Sequence, residues 1–511
     1  MKNIEQQKMP TPDQIRRDVS EFLKSKYGNQ IVVPPDPDAA GSPPGEEGGA
    51  TKHPPAINFD LKPTELEAFL QEYVVGQDGA IEVMATKICT HFNRMKLETK
   101  PDGVGEIVGN IKSNVLMIGP TGVGKTYLLK LIAQKIGVPF VKGDATKFSE
   151  TGYVGGDVDD LVRSLVHEAN GDIKVAEYGI IYLDEIDKIA SSGSVWGPDV
   201  SRTGVQRNLL KLMEEAEVDL KTPHDLASQM EAAMEAQRTG KVKRKKINTK
   251  NILFVMSGAF SGLPDIIRKR LNQQPVGFRS IENDLPASVE DNIEVLKMVR
   301  SEDLINFGFE SEFVGRLPVV VTLNDLDIEG LYSILQNSNS SVILGKKRDF
   351  KAYNIDVEFD DDALRQIAEL AFQEHTGARG LVSVVDRTLL KYEKILPDTE
   401  ISKFTVSRAV IDDPVGELNK LLTNYYMKKF QKRFLATNGI VITFSPKAIE
   451  SLSEKAAKEK KNFERVCSDM LRDYEYGLRL LNCDQFTVDE DIVANPKERL
   501  EELIKKAYEN K

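Results

Sequence analysis

Apolar positions along the chain follow two periods. Between Asn114 and about Val321, short fully apolar runs (Val115 to Ile118, Ile180 to Leu183, Ile252 to Met256) alternate with stretches whose apolar side chains recur every three or four residues, such as Leu128, Leu129, Leu131 and Ile132. A strand that is apolar on both faces has to be covered on both. The alternation therefore predicts an α/β fold with a parallel sheet flanked by helices. Upstream, Lys62 to Met95 has helical periodicity interrupted by the turn Val74-Val75-Gly76-Gln77. Near the start, Thr11 as N-cap, Pro12, Gln14 and the face Ile15, Val19, Phe22 and Leu23 predict a short amphipathic helix over 11–27. It docks on its own core or serves a partner or adaptor. From Pro34 to Pro55 the chain is rich in Pro, Gly, Asp and Glu and reads as a linker, with too little apolar surface to repay ordering.

Composition narrows the class. The 511 residues, 41% hydrophobic and 29% charged, suffice for several cores. No apolar run approaches the ~20 residues that span a bilayer, and the first residues lack the apolar core of a signal peptide. The expectation is a cytoplasmic protein with no membrane partner. A formal charge of -11 counts against a general nucleic-acid binder, which needs a basic face. Cys89, Cys467 and Cys483 are too scattered for a Cys-x-x-Cys metal site and read as ordinary thiols.

Chemistry concentrates at the breaks in the pattern. Gly119 to Thr126 reads Gly-Pro-Thr-Gly-Val-Gly-Lys-Thr, between the first apolar strand and a helix. That context is what a phosphate loop requires: small residues turn backbone N–H groups toward a polyphosphate, and the helix N-terminus adds positive potential. Pro120, Thr121, Gly122, Val123, Gly124 and Tyr127 are the further loop candidates. Lys125 would meet the β- and γ-phosphates, and the Thr126 hydroxyl would sit on Mg²⁺. The second apolar strand ends in Asp184-Glu185. Beside a phosphate loop, Asp184 suits Mg²⁺ binding and Glu185 suits polarising the attacking water. The third ends at Ser257, where a hydroxyl could sense the γ-phosphate or position the water. A polar insert, Thr222 to Lys250, carries the basic run Lys241, Lys243, Arg244, Lys245 and Lys246. It is a solvated face or a contact for an acidic partner or an incoming polypeptide.

From about Lys62 to Leu422 the chain resembles the ClpX family of hexameric AAA+ protein unfoldases, with HslU more distant. The match runs in order through KPTELEAFLQEYVVGQ, GPTGVGKT, TGYVGGDV, GIIYLDEIDKIA, DVSRTGVQRNLLKLME, ILFVMSGAFSGL, EFVGRLPVVVTLNDL and HTGARGL. The resemblance implies an ATPase with ATP and Mg²⁺ as cofactors, working as a homo-hexamer on protein substrates. It implies Val74, Val75 and Gln77 near the adenine, Ser257 as first sensor, Arg316 reaching the neighbouring subunit's nucleotide, and Arg379 as second sensor from a small domain. A guanidinium suits both arginine roles because it stays charged and offers a fork of donors. Tyr153 and Val154, within Gly152-Tyr153-Val154-Gly155, match the pore loop that grips polypeptide. Trp196 and Arg202 fall in a second pore-loop segment.

Departures are as specific. The family's four-cysteine N-terminal zinc domain is replaced by the helix and linker described above. The Ile-Gly-Phe tripeptide that docks a ClpP-type peptidase corresponds to Val276-Gly277-Phe278, in dissimilar flanks, so peptidase partnership stays open. The basic pore-entrance loop is replaced by the longer insert.

Beyond the match, the chain repeats itself. Asp356 to Phe359 and Ala363 align with the segment Ile442 to Phe444 and with Ala448, and Phe404 to Val406 and Pro414 align with Phe486 to Val488 and Pro496. Arg379 falls opposite Glu464, so the second copy reads as nucleotide-incompetent. The resulting division is an N-terminal helix over 1–30, a linker over 31–56, a large ATPase domain over 57–327, a small domain over 328–422, and its degenerate copy over 423–511. Three activities remain: an unfoldase feeding a peptidase, a stand-alone remodelling chaperone, and, from another class, a nucleic-acid motor or loader.

Overall fold

The computed structural model describes residues 57, 60–98, 112–149, 156–190, 200–220, 245–272, 290–459, 461–480 and 483–509. The helix at 11–27, the linker, Tyr153, Val154, Trp196, most of the basic insert and Val276-Gly277-Phe278 lie outside the described residues.

The expected sheet is present. Strands β1 (Val115–Ile118), β2 (Phe140–Asp144) and β3 (Ile180–Asp184) come first; β4 (Glu217–Asp219) and β5 (Lys246–Asn248) form a separate pair; β6 (Leu253–Gly258) and β7 (Val319–Thr322) follow. Five of these make one sheet in the order β2-β3-β6-β1-β7, every neighbour parallel. Central strands β1 and β6 are buried throughout, as their unbroken apolar runs require. Edge strand β2 is half-exposed, which is why it can carry Lys142, Gly143 and Asp144.

Two cores form because the strand period of two sends alternate residues to opposite faces. Val115, Met117, Tyr182 and Val255 face one, together with Leu128, Leu129 and Ile132 of the helix Lys125–Ile136. Leu116, Ile118, Ile181, Leu183, Phe254 and Met256 face the other, with Leu161, Val162 and Leu165 of the helix Asp159–Glu168. The first core continues without a break into Leu331, Ile367, Val384 and Tyr392, so the large and small domains share it. Strands β4 and β5 pair antiparallel, and the insert leaves from this stem. Lys246 at its base is paired with Glu217 at 2.8 Å, so the end of the basic run belongs to a surface ion pair.

The remaining strands come in two parallel pairs of matched register. In the first, β8 (Asp356–Phe359) runs beside β9 (Lys403–Val406), with Val357 opposite Phe404. In the second, β10 (Val441–Phe444) runs beside β11 (Gln485–Val488), with Ile442 opposite Phe486. The helix Pro414–Asn438, about 37 Å long at 1.5 Å per residue, joins them. It begins in the first core at Leu418 and ends at Phe430 and Phe434 in a third, separate core with Ile442, Leu452, Phe463 and Leu478. No helix among the described residues is long and apolar enough to cross a membrane.

Candidate functional site

The carboxyl ends of β1, β3 and β6 open into one cavity of about 550 Å³, at the position where open α/β sheets bind ligands. Its walls come from both domains. The phosphate-loop residues Thr121 to Tyr127, together with Asp184, Glu185 and Gly258, form one side. Ile334, Asn337, Ser340, Val342 and Arg379 of the small domain form the other. The apolar end holds Val74 and Val75, with Tyr73, Leu326 and Val382.

The loop conformation follows from its glycines. Gly122 has φ of +83°, and a Cβ there would lie 2.1 Å from the carbonyl oxygen of Thr376. Its own carbonyl accepts a 2.9 Å hydrogen bond from the Ala378 N–H, at the start of the helix Ala378–Ile395. The phosphate loop thus touches the small domain backbone to backbone, and that helix sets Arg379 at the cavity. Lys125 donates to the carbonyls of Gly119 and Pro120, at 2.5 and 2.8 Å. Burial lowers its pKa, Asp184 and Asp187 work against that, and Arg379 adds to it. Pro120 contributes this carbonyl rather than a cavity wall.

Beneath the loop, a hydrogen-bonded series links Thr126 to Asp184. Thr126 donates to the Tyr182 hydroxyl at 3.3 Å, and Tyr182 lies 2.6 Å from the Ser257 hydroxyl. Ser257 donates to Asp184 Oδ1 at 2.7 Å. Burial works against charge on Asp184, but the bonds from Ser257 and then Lys142 outweigh it and hold the carboxyl below its usual range. Burial pushes the Tyr182 hydroxyl up to about 12, so it remains a proton donor. Glu185 is exposed at the cavity rim with φ of 58°, a left-handed conformation costing a non-glycine residue about 1 kcal/mol or more.

Two of the expected site residues stand behind the cavity wall. Ser257 is fully buried, with its hydroxyl bonded to Asp184 and Tyr182. Gln77 also stands behind the wall, 1% exposed. Its side-chain amide donates to the Asn324 carbonyl at 2.9 Å and accepts from the Asn324 N–H at 2.8 Å. Asn324 in turn bonds the Gly76 carbonyl, so Gln77 braces the Val74-Val75 turn. Arg316 is outside the cavity as well, with its guanidinium 2.6 Å from Glu214 and 43% exposed. Arg202 is exposed on the helix Val200–Met213.

Sequence reasoning missed Tyr182, Lys142, Asp187 and Ser340. Asp187, three residues past Asp184 on the 3-10 turn Ile186–Ile189, was legible as the third acid of the Asp-Glu-Ile-Asp run. Tyr182 hid inside an apolar strand. Ser340 lies far from every motif, and its buried hydroxyl on the cavity wall has no protein partner. An orphaned buried hydroxyl costs free energy unless a ligand satisfies it. That hydroxyl, the apolar end and the glycine-lined loop together fit a nucleotide, base at one end and phosphates at the other. Thr126 and Asp184, joined through Tyr182 and Ser257, offer the oxygen ligands Mg²⁺ prefers.

A parallel sheet with a phosphate loop on β1, paired acids after β3 and a small domain delivering an arginine defines an AAA+ ATPase. The AAA domain family (Cdc48 subfamily) matches residues 110–320, and the C-terminal, D2-small domain of ClpB protein matches 332–398. The chain is 40% identical to the ATP-dependent Clp protease ATP-binding subunit ClpX of Treponema denticola over 330 residues, 64% of this chain and 75% of that protein. It is 39% identical to the ClpX proteins of Borrelia duttonii and Borrelia recurrentis over 371 residues, 72% of this chain and 82% of each relative. The chain belongs to the ClpX family.

Proposed function

We propose that the protein is a ring motor of the cytoplasm, a homo-hexamer that hydrolyses ATP with Mg²⁺ to unfold proteins and thread them through a central pore. The observation that carries this reading is the position of Arg316. It stands outside its own subunit's cavity, half-exposed and paired with an equally exposed glutamate. An arginine so placed can complete a nucleotide site only on a neighbouring subunit, which makes hydrolysis a property of the ring.

Within one subunit, Lys125 would leave the loop carbonyls for the phosphates, Thr126 and Asp184 would hold the metal, and Val74 and Val75 would cover the base. Glu185 orients and polarises the attacking water, and Arg379 meets the γ-phosphate from the small domain. The metal supplies charge neutralisation at the phosphate oxygens. Because Gly122 is bonded across the domain boundary to Ala378, the neighbour of Arg379, loss of the γ-phosphate changes what holds the small domain against the large one. Tyr153 and Val154 couple that movement to polypeptide. Val276, Gly277 and Phe278 are the candidate dock for a ClpP-type peptidase, since the matched relatives carry the protease in their name.

Mixed rings test the reading. Arg316→Ala chains and Glu185→Gln chains, each inactive alone, recover hydrolysis when combined, because a mixed interface has one intact glutamate and one intact arginine. No recovery at any ratio would remove the subunit-completed site. Tyr153→Ala leaves ATP hydrolysis in place and abolishes unfolding of a tagged substrate, read as loss of its fluorescence; unchanged unfolding would remove the pore loop.

A further inference from the structure

The position where the proposed site would hold its metal is bridged by a side chain of the protein itself. Lys142 lies on edge strand β2, in register with Tyr182 on β3, and both project to the face beneath the phosphate loop. Its ammonium nitrogen is 3.0 Å from Asp184 Oδ2 and 3.3 Å from Thr126 Oγ1. It also sits 5.6 Å from the centre of the Tyr182 ring. The ammonium donates to a carboxylate and a hydroxyl and lies within cation–π range of an aromatic face. Lys142 thereby closes a ring with the series from Thr126 through Tyr182 and Ser257 to Asp184.

We propose that Lys142 is a resident cation of the metal position, which holds Thr126 and Asp184 in place before nucleotide arrives and lets the site take up a nucleoside triphosphate without Mg²⁺. Three features support this. Of the lysines lining the cavity, Lys125 points back to the carbonyls of Gly119 and Pro120 and Lys188 pairs with Asp187, so neither is the cation between these ligands. Lys142 gives the Asp184 carboxylate a positive partner at hydrogen-bond distance, 3.0 Å. The lysine stem rises from a half-exposed edge strand with its side chain 40% exposed. It can therefore swing a few ångströms toward an incoming phosphate oxygen without disturbing the core. An ammonium at 3 Å is looser than a metal at about 2.0–2.1 Å and carries half the charge, so Mg²⁺ displaces it when present.

The inference rests on the nucleotide-site reading, and the test separates the two. Equilibrium binding of a fluorescent ATP is measured with excess Mg²⁺ and with EDTA, in full-length chains all carrying Glu185→Gln so that nothing turns over. The quantity read is the ratio of the two dissociation constants. Lys142→Met, close to the length of lysine but uncharged, raises this ratio by at least about tenfold, the size of one lost charge-assisted phosphate contact. Lys142→Arg, which keeps the charge, holds it near that of the Lys142 chain. Equal ratios in Lys142→Met and the Lys142 chain would overturn the inference while leaving the nucleotide site standing, and so would a Lys142→Arg chain that behaves like Lys142→Met. Failure of every chain to bind with Mg²⁺ would overturn the nucleotide-site reading and the inference with it. Unchanged melting temperatures show that the variants are folded.

Discussion

The two β-pair units of the C-terminal half are built to one plan and differ at one helix. Each has a parallel pair of four-residue strands in the same register, a helix after the first strand, and a short helix followed by a proline-started one after the second. What differs is the helix before the second strand. In the first unit it is continuous, Ala378–Ile395, and begins at Gly377 with φ of 61° and no side-chain cap. Its first N–H reaches the phosphate loop instead, and Arg379 follows at the cavity. In the second unit it is broken at Leu471 into Phe463–Met470 and Arg472–Leu480. Its start is closed by Asn462, whose side chain accepts from Arg465 N at 2.9 Å. Glu464 then turns to Arg433 on the joining helix at 2.7 Å. The hydrophobic positions keep the fold in both units. A single helix start is left open toward the phosphate loop in one and capped in the other.

Breaking the open start has the largest expected effect. Gly122→Ala forces a Cβ against Thr376 at a strained positive φ. It lowers ATP affinity by roughly a hundredfold or more, since one lost polar contact of a few kcal/mol is already of that size. Fluorescent-nucleotide titration reads the change, and an affinity within about threefold of the parent would mean that the loop and small domain do not act as one unit.

The next comparison sets Arg379 against its counterpart. Arg379→Ala reduces kcat for hydrolysis on the order of a hundredfold, as expected for one donor removed from a developing phosphate charge. Glu464→Ala leaves it unchanged. Steady-state phosphate release compares them, and equal losses in both variants would erase the functional difference between the units.

The smallest effect sharpens the capped side. Asn462→Ala costs about 1 kcal/mol of stability in the second unit, the usual worth of an N-cap. Urea melts read the cost, and ATP affinity stays where it was. A drop in affinity would reveal coupling between the third core and the nucleotide cavity.

The sequence contained the chemistry wherever a pattern broke: the glycine loop after β1, the acids after β3, and the arginine in Gly-Ala-Arg-Gly were all legible because each needs particular residue types at fixed spacing. It also contained the internal repeat, since matched apolar positions survive when chemistry is lost. By contrast, nothing in the sequence showed that Ser257 bonds Asp184 or that Gln77 bonds Asn324.

The sequence by itself determined the strand and helix order, the two-sided burial of the sheet, and which backbone loops could cradle phosphate, because local periodicity and glycine placement encode all of these. Only the tertiary structure decided that Lys142 faces Tyr182, that Ser340 is buried without a partner, and that Gly122 touches Thr376. Those contacts join residues far apart in the chain. The physical reason is that register, burial and domain closure bring together groups whose spacing in sequence carries no period at all.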